Sequence, residues 1–274
     1  MKAKKIKEFI ISNKRQVIEL ISLVLIPVVS AYIDYEILFK DYLANNDLSP
    51  DNFFIYFSIA NNLFPIFLFF LLLYFIHRWN SNYVMNSIQL YHDYPYWWYF
   101  LCSKILGIKR CSLVLVPIHM QFKLAIRGTF NEYPFDEKSF PMIDDEASSK
   151  VIKKQHVDES DEINIIIEDT YQIADHQIPK SKINITTIKI SRNDGSDKNR
   201  HYSPKLIEAT TNAVRDCPHS FTANVFATTN PMNTLYLAKG VFSLGSRGNI
   251  NHLFVFQQGR DKERRFEKAG HKIF

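Results

Sequence analysis

The sequence predicts an α-helical transmembrane hairpin followed by a cytosolic α/β domain with a mixed or parallel sheet. Three observations carry this prediction: two apolar runs near the N-terminus, an acidic stretch in the middle, and alternating strand-like and helix-like segments after it. The expected organisation is a two-span hairpin with a basic N-terminus at 1–78, an interfacial aromatic helix with short strands at 79–130, a charged linker at 131–162 and a sensor-like α/β domain at 163–274.

The two apolar runs are Val17 to Ile33 and Phe53 to Ile76. A helix needs about 20 apolar residues to cross a bilayer. The second run is long enough without a full charge, and the first is long enough if Glu19 lies at headgroup level. The connection between them, Asp34 to Asn52, is too polar to stay in lipid, so the pattern favours a hairpin. A cleaved signal peptide is the alternative for the first run. However, no small-residue cleavage site follows that run, and a second span comes soon after it.

Basic residues set the expected orientation. The segment before the first run is strongly basic, Arg78 follows the second run, and the connection between the runs is acidic apart from Lys40. The positive-inside bias therefore predicts a multi-pass protein of the cell inner membrane with both termini in the cytoplasm.

Polar residues inside the second run are the first functional hint. Asn61 and Asn62 lie close to Pro65, and Pro27 lies in the first run. Amides in lipid usually bond to a neighbouring helix. They could pin the two helices of one hairpin together, bond between protomers, or line a polar path, and the sequence does not separate these alternatives.

The middle of the chain is expected to join membrane and domain. Pro95 to Gly107 is aromatic and basic, which suits a headgroup interface, although a helix packed on the soluble domain is the alternative. Ser112–Ile118 and Gln121–Arg127 resemble strands, the second through its alternating pattern. Residues 131–162 are acidic with few large apolar residues, which is typical of a solvated linker.

Strand-like and helix-like segments alternate after the linker, which indicates an α/β sheet. Ser203-Pro204 is a helix start, with Ser at the N-cap and Pro at the first position. Strands are expected at Ile163–Ile167, Lys182–Ile190, Phe221–Thr228 and His252–Phe256, a strand or helix at Thr234–Val241, and a charged helix at Arg260–Ala269.

Polar residues follow the predicted strands, where α/β sheets bind ligands. Asn and Gln can read base edges, Arg pairs with phosphate, and the helix start at Ser203 could accept an anion. The alternative is that these residues are polar only because the loops after strands are exposed to solvent. The candidate ligand-binding residues are Glu168, Asp169, Arg192, Asn193, Asp194, Asn230, Gln257 and Arg260.

Catalysis, metals and cofactors find little support. No phosphate-binding loop, HExxH or nucleophile-elbow motif is present, and Asp169 or Glu168 with His201 or His219 is the only catalytic pairing that the pattern offers. Three cysteines are not the even set that a disulfide framework needs, and the lack of a Cys-x-x-Cys pair excludes a zinc ribbon or a thioredoxin-type site. Cys217 as a nucleophile is a minor alternative. We expect no metal, no cofactor and, on balance, no enzyme.

The layout resembles two-transmembrane effectors of bacterial antiphage defence systems, both retron-associated and cyclic-nucleotide-responsive. The resemblance covers the whole chain: the hairpin at 17–76, the linker, and the α/β domain at 163–274. It implies an abortive-infection toxin that a partner or a missing signal keeps silent, and whose hairpins then oligomerise and disrupt the inner membrane. The implied partners are the lipid bilayer, further copies of the chain, a regulatory protein or nucleic acid, and a nucleotide ligand. The alternative is a membrane-tethered enzyme that acts on a nucleotide or nucleic acid.

Overall fold

A computed structural model describes residues 9–33, 50–136, 138–142, 147–152, 161–192, 200–217, 220–243 and 249–274. The chain divides into two compact units, and each is described by itself. The hairpin unit comprises Met1–Tyr83 with Phe100–Lys109, and the sheet unit comprises Val84–Tyr99 with Arg110–Phe274. Phe100–Lys109 therefore packs with the hairpin, and the boundaries at 78 and 130 stay predictions. The acidic connection predicted between the spans lies largely outside the described residues.

The hairpin unit contains helices α1 (Lys14–Ala31) and α2 (Pro50–Asn80). Their polarity is inverted, which means that polar side chains are buried and apolar side chains are exposed. The buried face of α1 is mostly polar: Gln16, Glu19 and Ser30, which we call the polar seam, are buried beside Leu23. Apart from Lys14, its exposed residues are apolar, as are most of those on α2 beyond Asn61. A helix in water shows the opposite arrangement. Apolar residues outside and polar residues inside are typical of helices surrounded by lipid.

The two helices differ in their fitness to span a membrane. Within the described residues, one helical stretch, Asn61–Asn80, is long and apolar enough, and 6% of its apolar window is buried. Helix α1 has 18 residues, about 27 Å of helix, and its first two turns carry Lys14, Arg15 and Glu19. Its apolar part is therefore shorter than that of α2, and helix length and composition indicate one candidate span among the described residues.

The sheet unit contains a mixed six-stranded sheet and a separate parallel pair of strands. The pair is β1 (Val84–Met85) with β2 (Arg110–Cys111), and the strands of the sheet are β3 (Ala147–Ile152), β4 (Glu162–Glu168), β5 (Thr187–Arg192), β6 (Phe221–Ala227), β7 (Ile250–Phe256) and β8 (His271–Lys272). Their order in the sheet is β3-β5-β4-β6-β7-β8. The neighbours β5, β4, β6 and β7 are parallel, and β3 and β8 pair antiparallel at the two edges. Strands β4 and β6 are buried along almost their whole length, as expected for central parallel strands.

The residues of a short helix, α3 (Tyr96–Lys104), are divided between the two units. Among the described residues, three further α-helices belong wholly to the sheet unit: α4 (Ile118–Ile126), α5 (Pro204–Arg215) and α6 (Pro231–Gly240). The N-terminal part of α5 agrees with the prediction, because Ser203 caps it and Pro204 is its first residue. The segment predicted at Thr234–Val241 is helical.

Helix α4 corrects the strand predicted at Gln121–Arg127. Phe122 and Leu124 alternate with polar residues, but Ile118, Gln121, Phe122 and Ala125 are also spaced as one face of a helix, and all four are buried. Pro117 precedes the first turn at the N-cap position. A short apolar pattern of this kind fits both periods, and packing decides in favour of the helix.

Two further predictions fail for tertiary reasons. The predicted linker contains strand β3 and the first residue of β4, since Ala147 to Ile152 pairs with β5 from Arg192 to Thr187. The charged helix predicted at Arg260–Ala269 is absent from the structure, which has turns there and a bridge between Gln258 and Phe266. Phe266 is buried against Phe226, and Arg264 has a φ of 50°, which interrupts a right-handed helix.

Candidate functional site

A buried polar cluster lies at the carboxyl ends of the parallel strands. Asp169 follows β4, and Asn230 follows β6 at the N-cap of α6. Asp169 Oδ2 accepts hydrogen bonds from the backbone nitrogen of Asn230, from Asn230 Nδ2 and from Asn233 Nδ2, each at 2.9 Å. The parallel order brings β4 and β6 side by side, so residues far apart in the chain meet at one edge.

The same cluster closes the N-terminus of α6. Asn230 Oδ1 accepts from the backbone nitrogens of Met232 and Asn233 at 3.0 Å each, and Pro231 has no N–H to offer. The carboxylate of Asp169 therefore stands where a helix N-terminus would otherwise attract an anion. The helix start at Ser203 is capped by its own hydroxyl, which accepts from the backbone nitrogen of Leu206 at 3.2 Å.

Arg192 and His201 complete the cluster. Arg192 Nη1 lies 3.3 Å from Asp169 Oδ1 and 2.6 Å from His201 Nε2. The backbone carbonyl of His201 accepts from Asn230 Nδ2 at 2.8 Å and from Asn233 Nδ2 at 3.0 Å. Burial raises the pKa of Asp169, and the hydrogen bonds from Asn230 and Asn233 and the charge of Arg192 oppose that rise.

This cluster is closed to solvent. The exposed fractions are 5% for Asp169, 4% for Arg192 and 2% for His201. The pairing of Asp169 with His201 considered for hydrolysis is thus present, but with almost no access for a substrate. Buried ion pairs of this kind fix one geometry and are costly to break. The structure therefore brings together Asp169, Arg192 and Asn230, and their arrangement supports the sheet edge.

Other predicted residues lie elsewhere. Glu168 accepts from the backbone nitrogen of Ile173 and from Ser191 Oγ, both at 2.5 Å, and pairs with Lys189 Nζ at 2.8 Å. It thus ties the loop after β4 to β5. Asn193 and Asp194 lie outside the described residues. In the part of the chain that the structure describes, no group of three or more His, Cys, Asp or Glu residues could hold a metal ion.

An open cleft of about 200 Å³ lies at the same edge of the sheet. It is lined by uncharged residues that follow β4, β6 and β7, by residues at the start of α4, and by Tyr91. Arginines stack on its two tyrosines: Arg260 lies 3.4 Å from the ring centroid of Tyr91, and Arg264 lies 4.2 Å from that of Tyr171. The polar lining residues are Tyr91, Gln121, Thr170, Tyr171, Thr228, Thr229, Gln257 and Gln258.

Two amides of the cleft lining carry an unsatisfied atom. Gln121 Nε2 donates to the carbonyl of Val116 at 2.7 Å, but Gln121 Oε1 is buried and accepts no hydrogen bond from the described residues. Gln258 Nε2 is likewise buried without an acceptor among them. Each unsatisfied buried group costs roughly 1–3 kcal/mol.

The buried cluster and the cleft are connected through Thr228. Its hydroxyl oxygen accepts from the backbone nitrogen of Asp169 at 3.3 Å and donates to the carbonyl of Tyr171 at 2.7 Å. Thr228 also lines the cleft. Asp169 and Asn230 are therefore placed to position the cleft wall, whereas Gln257 and Arg260 lie at the cleft itself.

Sequence reasoning missed three cleft residues and part of the hairpin. Tyr91 and Tyr171 lie outside the strand ends that were searched, and Gln121 was assigned to a strand. In the hairpin, Asn61 Oδ1 is buried without a donor among the described residues, and Asn62 is exposed. Asn80 at the end of α2 accepts a hydrogen bond from Arg15 Nη2 and donates one to Glu19 Oε2, and its position after a long apolar run was the available signal.

Comparison with known proteins gives one family. The model of the SMODS- and ubiquitin system-associated 2TM effector domain matches residues 2–274, which is nearly the whole chain. No curated protein matches the sequence.

Proposed function

Because the chain belongs to the SMODS- and ubiquitin system-associated 2TM effector domain family, we propose that it is a membrane effector of bacterial antiphage defence. In this proposal both α1 and α2 cross the inner membrane, with the two termini in the cytoplasm. A signal or the loss of a restraining partner acts on the sheet unit, and the hairpins then oligomerise and permeabilise the membrane. Cell death or growth arrest follows.

The inverted polarity of the hairpin carries this proposal. Apolar side chains of α1 and α2 are exposed, and the polar seam of α1 is buried. An anchor needs no polar interior, because each ionisable group placed in lipid costs several kcal/mol. A polar seam is useful to a hairpin that rearranges and brings polar groups to a water-filled path.

The signal is proposed to bind in the cleft. An uncharged floor of glutamine and threonine side chains suits a planar ring with hydrogen-bonding edges, and Arg260 and Arg264 supply positive charge for an anionic group. A nucleotide has both parts. A cleft of about 200 Å³ admits one ring, so the rest of the ligand would lie along the arginines. Alternatively, a regulatory protein or a nucleic acid binds by placing a similar ring and anionic group in the cleft.

The first experiment tests the hairpin. The chain is expressed in bacteria without partner genes, and dye entry and membrane potential are followed. If the wild type depolarises the membrane and the double variant Asn61→Leu with Asn62→Leu does not, the chain is an effector. Exchange of the hairpin for an unrelated two-span anchor should also abolish the depolarisation. Activity that survives the exchange would favour the membrane-tethered enzyme.

The second experiment tests the cleft. Purified full chain is titrated with nucleoside monophosphates by calorimetry, together with Tyr91→Ala and Gln258→Leu. Both variants should weaken binding about tenfold or more, since each removes a stacking or hydrogen-bonding group worth on the order of 1.4 kcal/mol. Asp175→Asn, an exposed site away from the cleft lining, is the matched control. Equal binding by all variants would exclude this cleft.

A further inference from the structure

The side chain of Asn80, the last residue of α2, joins three segments of the hairpin unit. Its Oδ1 accepts from Arg15 Nη2 at 2.7 Å, and its Nδ2 donates to Glu19 Oε2 at 2.8 Å and to the backbone carbonyl of Leu106 at 2.9 Å. Asn80 has no exposed surface. One amide therefore bonds to the start of α1 and to the segment Phe100–Lys109, and all of these contacts lie within one compact unit.

The charges around Asn80 are paired. Arg15 Nε lies 2.8 Å from Glu19 Oε1, so each carboxylate oxygen of Glu19 has a donor. The guanidinium of Arg15 also lies 4.4 Å from the ring centroid of Tyr83. A partly buried charged pair is tolerated only when its partners are satisfied in this way. The cluster therefore favours one register of α1 against α2 over neighbouring ones.

The segment after α3 makes a second contact with the same end of α2. His77 Nε2 lies 2.9 Å from the carbonyl oxygen of Ile105. Gly107 has a φ of +68°, and a Cβ there would lie 2.6 Å from the His77 ring. The close approach of this segment to α2 thus requires glycine. Two successive turns of α2 are held by the segment Ile105–Gly107.

We infer that Asn80 is a positioning residue that locks the hairpin in a closed form with its polar seam buried, and that the segment Phe100–Lys109 holds this lock. The inference rests on the proposed function of the hairpin. If the Leu106 carbonyl moves away, one amide hydrogen of Asn80 loses its acceptor, and the hydrogen bond from Asn80 Nδ2 to Glu19 becomes weaker. Movement of a short segment that continues from α3 could in this way release α1 from α2.

The experiment uses full-length chain in vesicles of phosphatidylethanolamine and phosphatidylglycerol. Asn80→Leu keeps the size of the side chain but removes every hydrogen bond, and Leu is well tolerated in lipid. Glu19→Gln is a second, independent variant that removes the charge. Ser81→Ala is the matched control, because Ser81 is exposed and its hydroxyl donates only to the carbonyl of Arg78 among the contacts described. Potassium leak and amide hydrogen exchange are measured on the same samples.

Both lock variants should raise hydrogen exchange about tenfold or more in the first turns of α1 and also at Leu106 and Ile108, as expected when a charged hydrogen bond is lost. Leak without any added signal should rise by a similar factor, and Ser81→Ala should match the wild type. The double variant should add little to either single one, because both changes act on the contact between Glu19 and Asn80.

The outcomes separate the two proposals. Exchange that stays within twofold of the wild type, or that rises in α1 alone, overturns the lock. Raised exchange with reduced leak also overturns it, since the contact would then belong to the open form. If no sample leaks but exchange rises in both segments, the lock stands and the proposed permeabilising function fails.

Discussion

Asn230 donates twice to a single oxygen of Asp169: its backbone nitrogen and its side-chain Nδ2 each lie 2.9 Å from Asp169 Oδ2. Because Asn230 is also the N-cap of α6, this pair fixes where the helix begins relative to β4. The strand end, the helix start and the cleft wall at Thr228 are thus set by one arrangement of hydrogen bonds.

Replacing Asp169 should destabilise the sheet unit strongly. Asp169→Ala leaves Arg192 buried without its carboxylate and leaves the donors of Asn230 and Asn233 unmatched, so the free energy of unfolding should fall by about 3–5 kcal/mol. Urea unfolding of the detergent-solubilised full chain, followed by circular dichroism, measures this. Asp175→Ala, at an exposed position, serves as the control. Similar losses in both variants would contradict the role given to Asp169.

The cap and the donor function of Asn230 can be separated. Asn230→Ala removes the cap acceptor and both Nδ2 donations, and should cost about 2–4 kcal/mol. Asn230→Ser keeps a cap acceptor and should recover about 1 kcal/mol of that loss. The same unfolding measurement compares them. Identical losses for alanine and serine would mean that capping contributes little here.

His119 predicts a pH dependence of stability. Its ring stacks on His271 with centroids 3.6 Å apart, and burial and, to a smaller extent, the charge of His271 lower the pKa of His119 to about 4. Gln257, Glu267 and Asp93 also face it, and they oppose that shift. The unfolded chain takes up this proton near pH 6.5, so the contribution is complete above that pH and is lost as the pH falls toward 4. His119→Gln should reduce the stability difference between pH 7 and pH 5, whereas exposed His176→Gln should leave it unchanged.

Cys217 should be a poor nucleophile. Burial raises the pKa of its thiol to about 11, and Sγ donates to the carbonyl of Ala213 at 3.3 Å. At pH 7.5 very little thiolate is present, so maleimide should react far more slowly than with the unfolded chain. Mass spectrometry of a variant that retains Cys217 as its sole cysteine measures the rate. Labelling as fast as in urea would revive the catalytic interpretation.

The sheet was predictable where the signal is local. The buried runs around Ile165 and Val225 have the length and composition of central strands, and Ser203-Pro204 marks a helix start without any tertiary information. Strand β3 was not predictable, because a charged segment becomes a strand only through its pairing with β5.

The functional contacts divide in the same way. The position of Asp169 and Asn230 after neighbouring strands followed from chain order and parallel topology. The bond between Glu19 and Asn80 joins residues 61 positions apart, and no local pattern specifies it. The cleft residue Gln121 was missed because its segment fits both a strand period and a helix period, and packing against the sheet decides between them.

The order of the strands has a consequence for biosynthesis. Strand β7 pairs with β6 and comes almost last in the chain, so the sheet can close only when synthesis is nearly complete. The hairpin leaves the ribosome much earlier, and at about 5–20 residues per second it has many seconds to enter a bilayer before the sheet exists. Under the proposed function, insertion of the nascent chain precedes folding of the sheet unit, and a newly made copy passes through a stage in which its hairpin is present before the unit proposed to control it.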